Sequence, residues 1–250
     1  MSSQFLRFVL AVIFLGYASL RDIEEREVPD KVWILSVPAC LALTLLDVCF
    51  EKDDPMLLLV SLLIAFVLGV VLCHFGFYGG ADAKALLLIA TAFPSYPKDT
   101  GSLMAKLFPA PFLLVFSSST LISVVCPLAV LTLNSIDILR GLNPLREVEE
   151  ENVFRRFILL ATARRVRFET LKRSLKYFPA EKIVEEEGKI WRKPLFFVHA
   201  EADVNKLVQE LEEYEDLFVD GVLASPTIPM IVFLFCGFAL SYLTSLFIHI

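Results

Sequence analysis

The sequence lacks the short motifs on which most soluble hydrolases and metalloproteins depend. It contains no H-E-x-x-H, no G-x-S-x-G and no Walker loop, and its three histidines (His74, His199 and His249) are scattered. None of its five cysteines belongs to a C-x-x-C pair, and all five lie in apolar runs. These absences argue against a zinc site, a disulfide framework and an activated serine, and we expect no metal and no cofactor.

Long, nearly charge-free runs are what the chain has instead. Its hydrophobic fraction is 56%, it carries 22 Phe, and its mean hydropathy is +0.67, values that favour a membrane protein. We expect about six transmembrane helices, the fourth of them short, within 5–20, 32–50, 56–78, 83–93, 107–133 and 228–250. The first run is expected to be a retained helix, because "GYASLRD" makes a poor signal-peptide cleavage site.

The charged residues are concentrated late in the chain. Residues 140–225 hold 15 of the 23 Lys and Arg and 17 of the 29 Asp and Glu, a near balance that argues against binding to nucleic acid. We expect a mostly α-helical, polytopic membrane protein with a small α+β cytosolic domain. Its predicted parts are 1–139 (five helices and two aspartate motifs), 140–225 (the soluble domain) and 226–250 (the last helix).

Within the soluble part, residues 153–178 show helical spacing with many basic side chains. Such a helix can lie along the inner leaflet or pack on its own domain, and both interpretations stay open. "GKIWRKPLFFV" predicts a strand, and residues 201–218 predict an amphipathic helix.

The distribution of basic residues predicts which connections face the cytoplasm. Six alternating spans place 21–31, 76–82 and 140–225 on one side, and 51–55, 94–106 and both termini on the other. Because the first group holds the excess of Lys and Arg, it is expected to be cytoplasmic. Asp22, where the first helix leaves the membrane, and Asp82, where the fourth enters it, would then share that face.

Two such carboxylates can do chemistry that one cannot. In a partly dry site they do not both ionise easily, so the pair holds one proton near neutral pH. The ionised member can take a proton from water while the protonated member polarises a carbonyl group. A single acid at a helix end more simply marks the water boundary, and the "GGA" before Asp82 can serve helix packing. Gly79 and Gly80 also permit positive φ and a close backbone approach.

Three segments resemble a known family. "DIEEREVPD", "GGADAK" and "ASPTIPM" resemble, in chain order, motifs of the type IV prepilin peptidases and archaeal preflagellin peptidases, which are GxGD-type membrane aspartyl proteases. The resemblance implies an endopeptidase that removes a short basic leader (a class III signal peptide) from flagellin or pilin-like precursors at the cytoplasmic face. The paired loop cysteines of the bacterial members are absent, so the archaeal, peptidase-only type fits better.

The resemblance also implies roles for individual residues. Asp22 and Asp82 would be the catalytic pair, and the active-site loop would comprise Gly79, Gly80, Ala81 and Lys84. Ala81 stands where the motif has Gly, and because Ala disfavours positive φ, this departure puts the loop geometry in question.

The acids after Asp22 have two interpretations. Glu24, Glu25 and Glu27 can form a solvated helix end, or they can attract the basic leader of a precursor. Two other functions compete with the peptidase: a small transporter in which Asp22 and Asp82 bind cations or relay protons, and a non-enzymatic membrane scaffold that presents the 140–225 domain. The expected partners are leader-bearing precursors and the lipid bilayer.

Overall fold

The computed structural model describes residues 3–50, 52–95, 110–146, 152–174, 176–186, 189–196, 199 and 202–247. The described α-helices are α1 (Ser3–Glu24), α2 (Asp30–Cys49), α3 (Pro55–His74), α4 (Gly80–Ala92), α5 (Pro111–Ser123), α6 (Val125–Leu139), α7 (Val153–Thr162), α8 (Phe168–Arg173), α9 (Val204–Glu212) and α10 (Met230–Phe247). All of them except α8 have eight residues or more. The described strands are β1 (Arg164–Val166), β2 (Tyr177–Pro179), β3 (Glu181–Glu186), β4 (Lys189–Pro194) and β5 (Val222–Pro226).

The chain forms two compact units, of which the first comprises Met1–Ser123 and Pro229–Ile250. Its helix α4 contacts all five of the other helices described in this unit, α1, α2, α3, α5 and α10. Five of its side chains are fully buried, namely Ala85, Leu86, Leu88, Ile89 and Ala90. A helix that is apolar all round is stable when it is enclosed in this way. The short fourth run of the sequence is therefore the central helix of the unit.

Among the residues that the structure describes, four helical segments are long and apolar enough to cross a membrane: Ser3–Glu24, Asp30–Cys49, Pro55–His74 and Pro111–Leu139. The apolar part of α10, Met230–Thr244, is shorter, and α4 has 13 residues. A mostly helical protein with several membrane-type helices is confirmed, while the total of six spans stays a prediction. Most of the expected 94–106 connection, and the start of the 107–133 run, lie outside the described residues.

The second unit, Val124–Ile228, contains the sheets. Strand β5 lies between β1 and β2 in an antiparallel three-stranded sheet, and β3 pairs with β4 in an antiparallel hairpin. The helices α8 and α9 pack on this sheet through the buried residues Phe168, Leu171, Val208 and Leu211, and Phe218, in the 3-10 turn after α9, belongs to the same core. The small α+β region is thus present, although the expected boundaries at 139/140 and 225/226 stay predictions.

Two of the local predictions in this unit have clear outcomes. The predicted strand appears as β4, and Phe197 and Val198 of the same segment lie outside the described residues. The continuous helix over 153–178 is wrong beyond Thr162. After Ala163, which is extended, Arg164–Val166 pairs with β5, and Tyr177–Pro179 pairs with its other edge. Strand pairing here overrides a helical spacing of apolar residues.

Candidate active site

Asp22 lies in the last turn of α1, where the helix gives way to the connection toward α2. The turn is completed by Arg26, whose φ of 59° is left-handed and ends the helical path. Asp22 is half-buried, and its Oδ1 lies 4.0 Å from Nη1 of Arg26. Its Oδ2 is buried and has no hydrogen-bond partner among the described residues. The backbone N–H of Ile231, in the first turn of α10, also interacts with this carboxylate.

Asp82 lies in the first turn of α4 and caps it. The backbone N–H of Gly79 donates to Oδ2 of Asp82 at 3.0 Å, and the N–H of Asp82 donates to the carbonyl of Gly79 at 3.1 Å. A carboxylate at this third helical position satisfies a free backbone donor and complements the positive end of the helix dipole. Local helix chemistry therefore fixes where Asp82 points.

The structure brings the two acids together. Asp22 and Asp82 interact electrostatically, and α1, α4 and α10 contact one another pairwise. Ser19 of α1 donates through Oγ to the carbonyl of Ile231 at 3.4 Å, which ties the end of α1 to the start of α10. One helix end and two helix beginnings thus meet around a pair of carboxylates.

Tyr78 is a third polar side chain at this place. It lies in the α3–α4 connection and is 7% exposed. Burial, and then the nearby charge of Asp82, raise the pKa of the Tyr78 phenol above its usual range, so the hydroxyl keeps its proton near neutral pH. Sequence reasoning missed this residue, although its position directly before the Gly pair was a usable signal.

The glycine pair is not used for positive φ. Gly79 has a φ of −86°, and the left-handed glycine of this connection is Gly76, with a φ of 72°. Gly80 begins α4, and Ala81 follows it inside the first helical turn, half-buried against the core. Ala81 therefore occupies backbone that an alanine adopts without strain, and the concern raised by the missing Gly does not arise in this structure.

Lys84, also expected in the active-site loop, lies within helix α4 instead, and it joins the two aspartate motifs. Its Nζ lies 2.6 Å from Oδ1 of Asp30, the residue that follows Pro29 at the end of the first motif. Both side chains are well exposed, at 42% and 71%. The pair is a link at the rim, and no pattern in the sequence pairs Lys84 with Asp30.

The three glutamates of the acidic run are all exposed, but they are not equivalent. Glu25 is paired with Arg21 one turn earlier in α1. Glu24 ends α1, and Glu27 lies in the connection to α2. Of these three glutamates, Glu24 and Glu27 form no ion pair with the residues that the structure describes, so their charges face solvent.

Residues 9–128, which contain both aspartates, match the model of the type IV leader peptidase family. This part of the chain, just under half of it, is therefore similar to type IV leader peptidases. A preflagellin peptidase from Methanococcus voltae is 28% identical over 128 residues, which cover 48% of this chain and 54% of that protein. The chain thus spans about half the length of this curated relative. No solved structure matches the chain.

Proposed function

We propose that this chain is an integral membrane aspartyl endopeptidase that removes the short basic leader from flagellin or type IV pilin-like precursors. The observation that carries the proposal is the meeting of Asp22 and Asp82, the two acids of the family-type motifs, at one end of a bundle of apolar helices. The match to type IV leader peptidases and the similarity to a preflagellin peptidase support the same activity.

In the proposed mechanism the two carboxylates share one proton. The ionised carboxylate accepts a proton from a water molecule while the oxygen of that water attacks the carbonyl carbon of the scissile peptide bond. The protonated carboxyl donates its proton to the carbonyl oxygen, and proton transfer to the leaving nitrogen then releases the leader. The unpartnered, buried Oδ2 of Asp22 is suited to accept a hydrogen bond from the attacking water. We assign the shared proton to the pair and not to one residue.

The site is proposed to face the cytoplasm. The junction of α1 and α2 carries Arg21 in the last turn of α1, Arg26 in the connection and Lys31 in the first turn of α2, and 15 of the 23 basic residues of the chain lie in 140–225. An excess of basic residues marks the cytoplasmic side of membrane proteins. Asp22 and Asp82 lie at helix ends, so we propose that cleavage occurs at the membrane interface.

The experiment changes each acid alone. Asp22→Asn and Asp82→Asn are expressed in membranes and incubated with a precursor that carries a basic leader, and cleavage is followed by gel shift and mass spectrometry. Each change keeps the shape of the side chain but removes the shared proton chemistry, so each is expected to abolish cleavage. Asp216→Asn, an exposed acid on the second unit, is the matched control and should cut normally. A normal rate in either Asp22→Asn or Asp82→Asn would overturn the paired-acid assignment.

We further propose that Glu24 and Glu27 attract the basic residues of the leader. Because exposed charges steer a ligand over about 10 Å at 0.1 M salt, Glu24→Gln with Glu27→Gln should raise KM at low salt and have little effect at high salt. The same double change at Glu210 and Glu213, exposed on the second unit, is the control. An unchanged KM at every ionic strength would leave these glutamates as a solvated helix end.

A further inference from the structure

Helix α7 has two faces of different character. Its inner face places Leu159 and Ala163 in a small core with Leu145, Ala180 and Leu223. Its outer face exposes Val153, Phe154 and Phe157 by 80%, 70% and 55%. With 100° between successive residues, these three lie within about 100° of one another around the helix. We call them the α7 apolar face.

The α7 apolar face belongs to a helix that packs on a membrane-type helix. Nδ2 of Asn134, in α6, donates to the carbonyls of Leu160 and Ala163 at 2.8 Å each. Helix α6 is the second half of the candidate span Pro111–Leu139, and its own apolar residues are similarly exposed, Leu139 by 87% and Ile138 by 49%. Both helices lie in the same unit, so α7 lies beside the end of a candidate membrane span.

The charges on α7 fit the surface of a bilayer. The helix contains Arg155 and Arg156 and no acid. Arg155 lies over the ring of Phe196, 5.2 Å from its centroid, which holds that guanidinium on the side of the helix away from Val153. A helix with bulky apolar residues on one face and arginines beside them is typical of segments that lie in the plane of a membrane interface, where the cations meet anionic headgroups.

We propose that the α7 apolar face is inserted into the phospholipid interface next to the Pro111–Leu139 span. Arg155 and Arg156 then lie at headgroup level and Phe154 and Phe157 lie among the upper acyl chains. A lipid surface is favoured over a second copy of the chain because the neighbouring α6 already needs lipid around it, and because two copies of α7 would bring four arginines together. This inference does not depend on the proposed peptidase activity.

The test places a photoreactive benzoylphenylalanine at Phe154 or Phe157 in the full chain. The variants are reconstituted in vesicles of phosphatidylcholine with a third of phosphatidylglycerol, irradiated and analysed by mass spectrometry. Leu121, 77% exposed in the candidate span, is the positive control, and Val219, 89% exposed on the second unit, is the aqueous control. We expect at least fivefold more lipid adduct at Phe154 and Phe157 than at Val219, and an amount close to that at Leu121.

Three results would overturn the proposal. Covalent dimers formed from position 154 or 157 would show that a second copy covers the face, and adducts within the chain would show that the chain covers it. A lipid yield at both positions no higher than at Val219, with adduct present at Leu121, would place the face in water. Arg155→Gln with Arg156→Gln should lower the lipid yield at position 154 in anionic vesicles and leave it unchanged in phosphatidylcholine alone. In anionic vesicles, a lipid yield at position 154 as high with the two arginines replaced as with them present would overturn their role.

Discussion

The guanidinium of Arg7 lies 2.7 Å from Oδ2 of Asp53, and both side chains are 1% exposed. The same nitrogen lies 3.0 Å from Oδ2 of Asp47, and the other terminal nitrogen donates to Oγ1 of Thr44 at 2.8 Å. Thr44 in turn donates to the carbonyl of Thr91 at 2.7 Å. These contacts connect α1, α2 and the end of α4. They therefore join the helix of Asp22 to the helix of Asp82, at the opposite end of α1 from Asp22.

The first prediction concerns this buried ion cluster. Arg7→Met leaves the buried Asp53 without its cation and leaves Asp47 with the exposed Lys52 alone, 3.5 Å away, and breaking a buried pair costs about 3–5 kcal/mol. We expect a marked fall in the midpoint of thermal unfolding, measured on the detergent-solubilised protein, and reduced cleavage because α1 and α4 lose a common anchor. Adding Asp47→Asn and Asp53→Asn to Arg7→Met should recover part of the stability. A single Arg7→Met variant that unfolds at the temperature of the parent chain would contradict this account.

The sequence indicates two members of this cluster, Arg7 and Asp47, but not the third, Asp53. Arg7 and Asp47 are each the lone charge in an otherwise apolar run, and a charge inside a membrane helix is expected to have a partner. The partner Asp53, however, lies in the segment "EKDDP", which is typical of a solvated acidic turn. Only the packing of the helices shows that this turn folds back and buries Asp53.

The candidate site was likewise predictable from the sequence only in part. Counting spans predicts that Asp22 and Asp82 share one face, because alternation decides the side on which each helix end lies. The position of Tyr78 and the pairing of Lys84 with Asp30 depend on how far each helix is rotated about its axis, and no pattern in the sequence fixes that rotation. The local spacing over 153–178 failed for the opposite reason, since the pairing of Arg164–Val166 with β5 is not local.

The second prediction concerns the close packing of α3 on α4 beside Asp82. A Cβ added at Gly69 would lie 3.1 Å from the Cβ of Ala83, closer than ordinary van der Waals contact. Gly69→Ala should therefore push α4 away and displace Asp82, the residue before Ala83. We expect kcat to fall about tenfold, since small displacements of catalytic groups are costly.

Exchanging the two residues provides the control. Ala83→Gly removes the methyl group that the new side chain meets, so the double variant Gly69→Ala/Ala83→Gly should regain most of the lost kcat. Ala83→Gly alone should cost about 1 kcal/mol of stability through helix propensity. If the double variant is as slow as Gly69→Ala, the contact between these two residues is not the cause.

The third prediction concerns the link between Lys84 and Asp30. Because both side chains are exposed, the pair contributes about 0–1 kcal/mol, and neither Lys84→Met nor Asp30→Asn should shift the unfolding midpoint much. If the link orients the rim of the site, each change alone should lower kcat/KM by up to about fivefold, the equivalent of about 1 kcal/mol. The double variant should be no worse than either single variant. Additive losses would show that Lys84 and Asp30 act separately.

The fourth prediction concerns Glu181, a buried acid that joins the two sheets of the second unit. It is 4% exposed and accepts two hydrogen bonds from Arg192, at 2.7 and 2.8 Å, while the backbone N–H of Leu223 in β5 donates to the same carboxylate. Glutamine offers one acceptor oxygen in place of two and brings an amide against the guanidinium, so Glu181→Gln should destabilise this unit by about 2–4 kcal/mol.

Hydrogen exchange on the full chain measures this effect locally. The backbone amides of residues 222–225 should exchange faster in Glu181→Gln, because β5 loses the carboxylate that holds it to the β3–β4 hairpin, whereas those of α4 should be unchanged. Glu185→Gln, an exposed position on the same strand, is the matched control and should leave β5 protected. Equal protection of β5 in both variants would mean that main-chain pairing with β1 and β2 is sufficient to hold the strand, and that the carboxylate of Glu181 does not join the sheets.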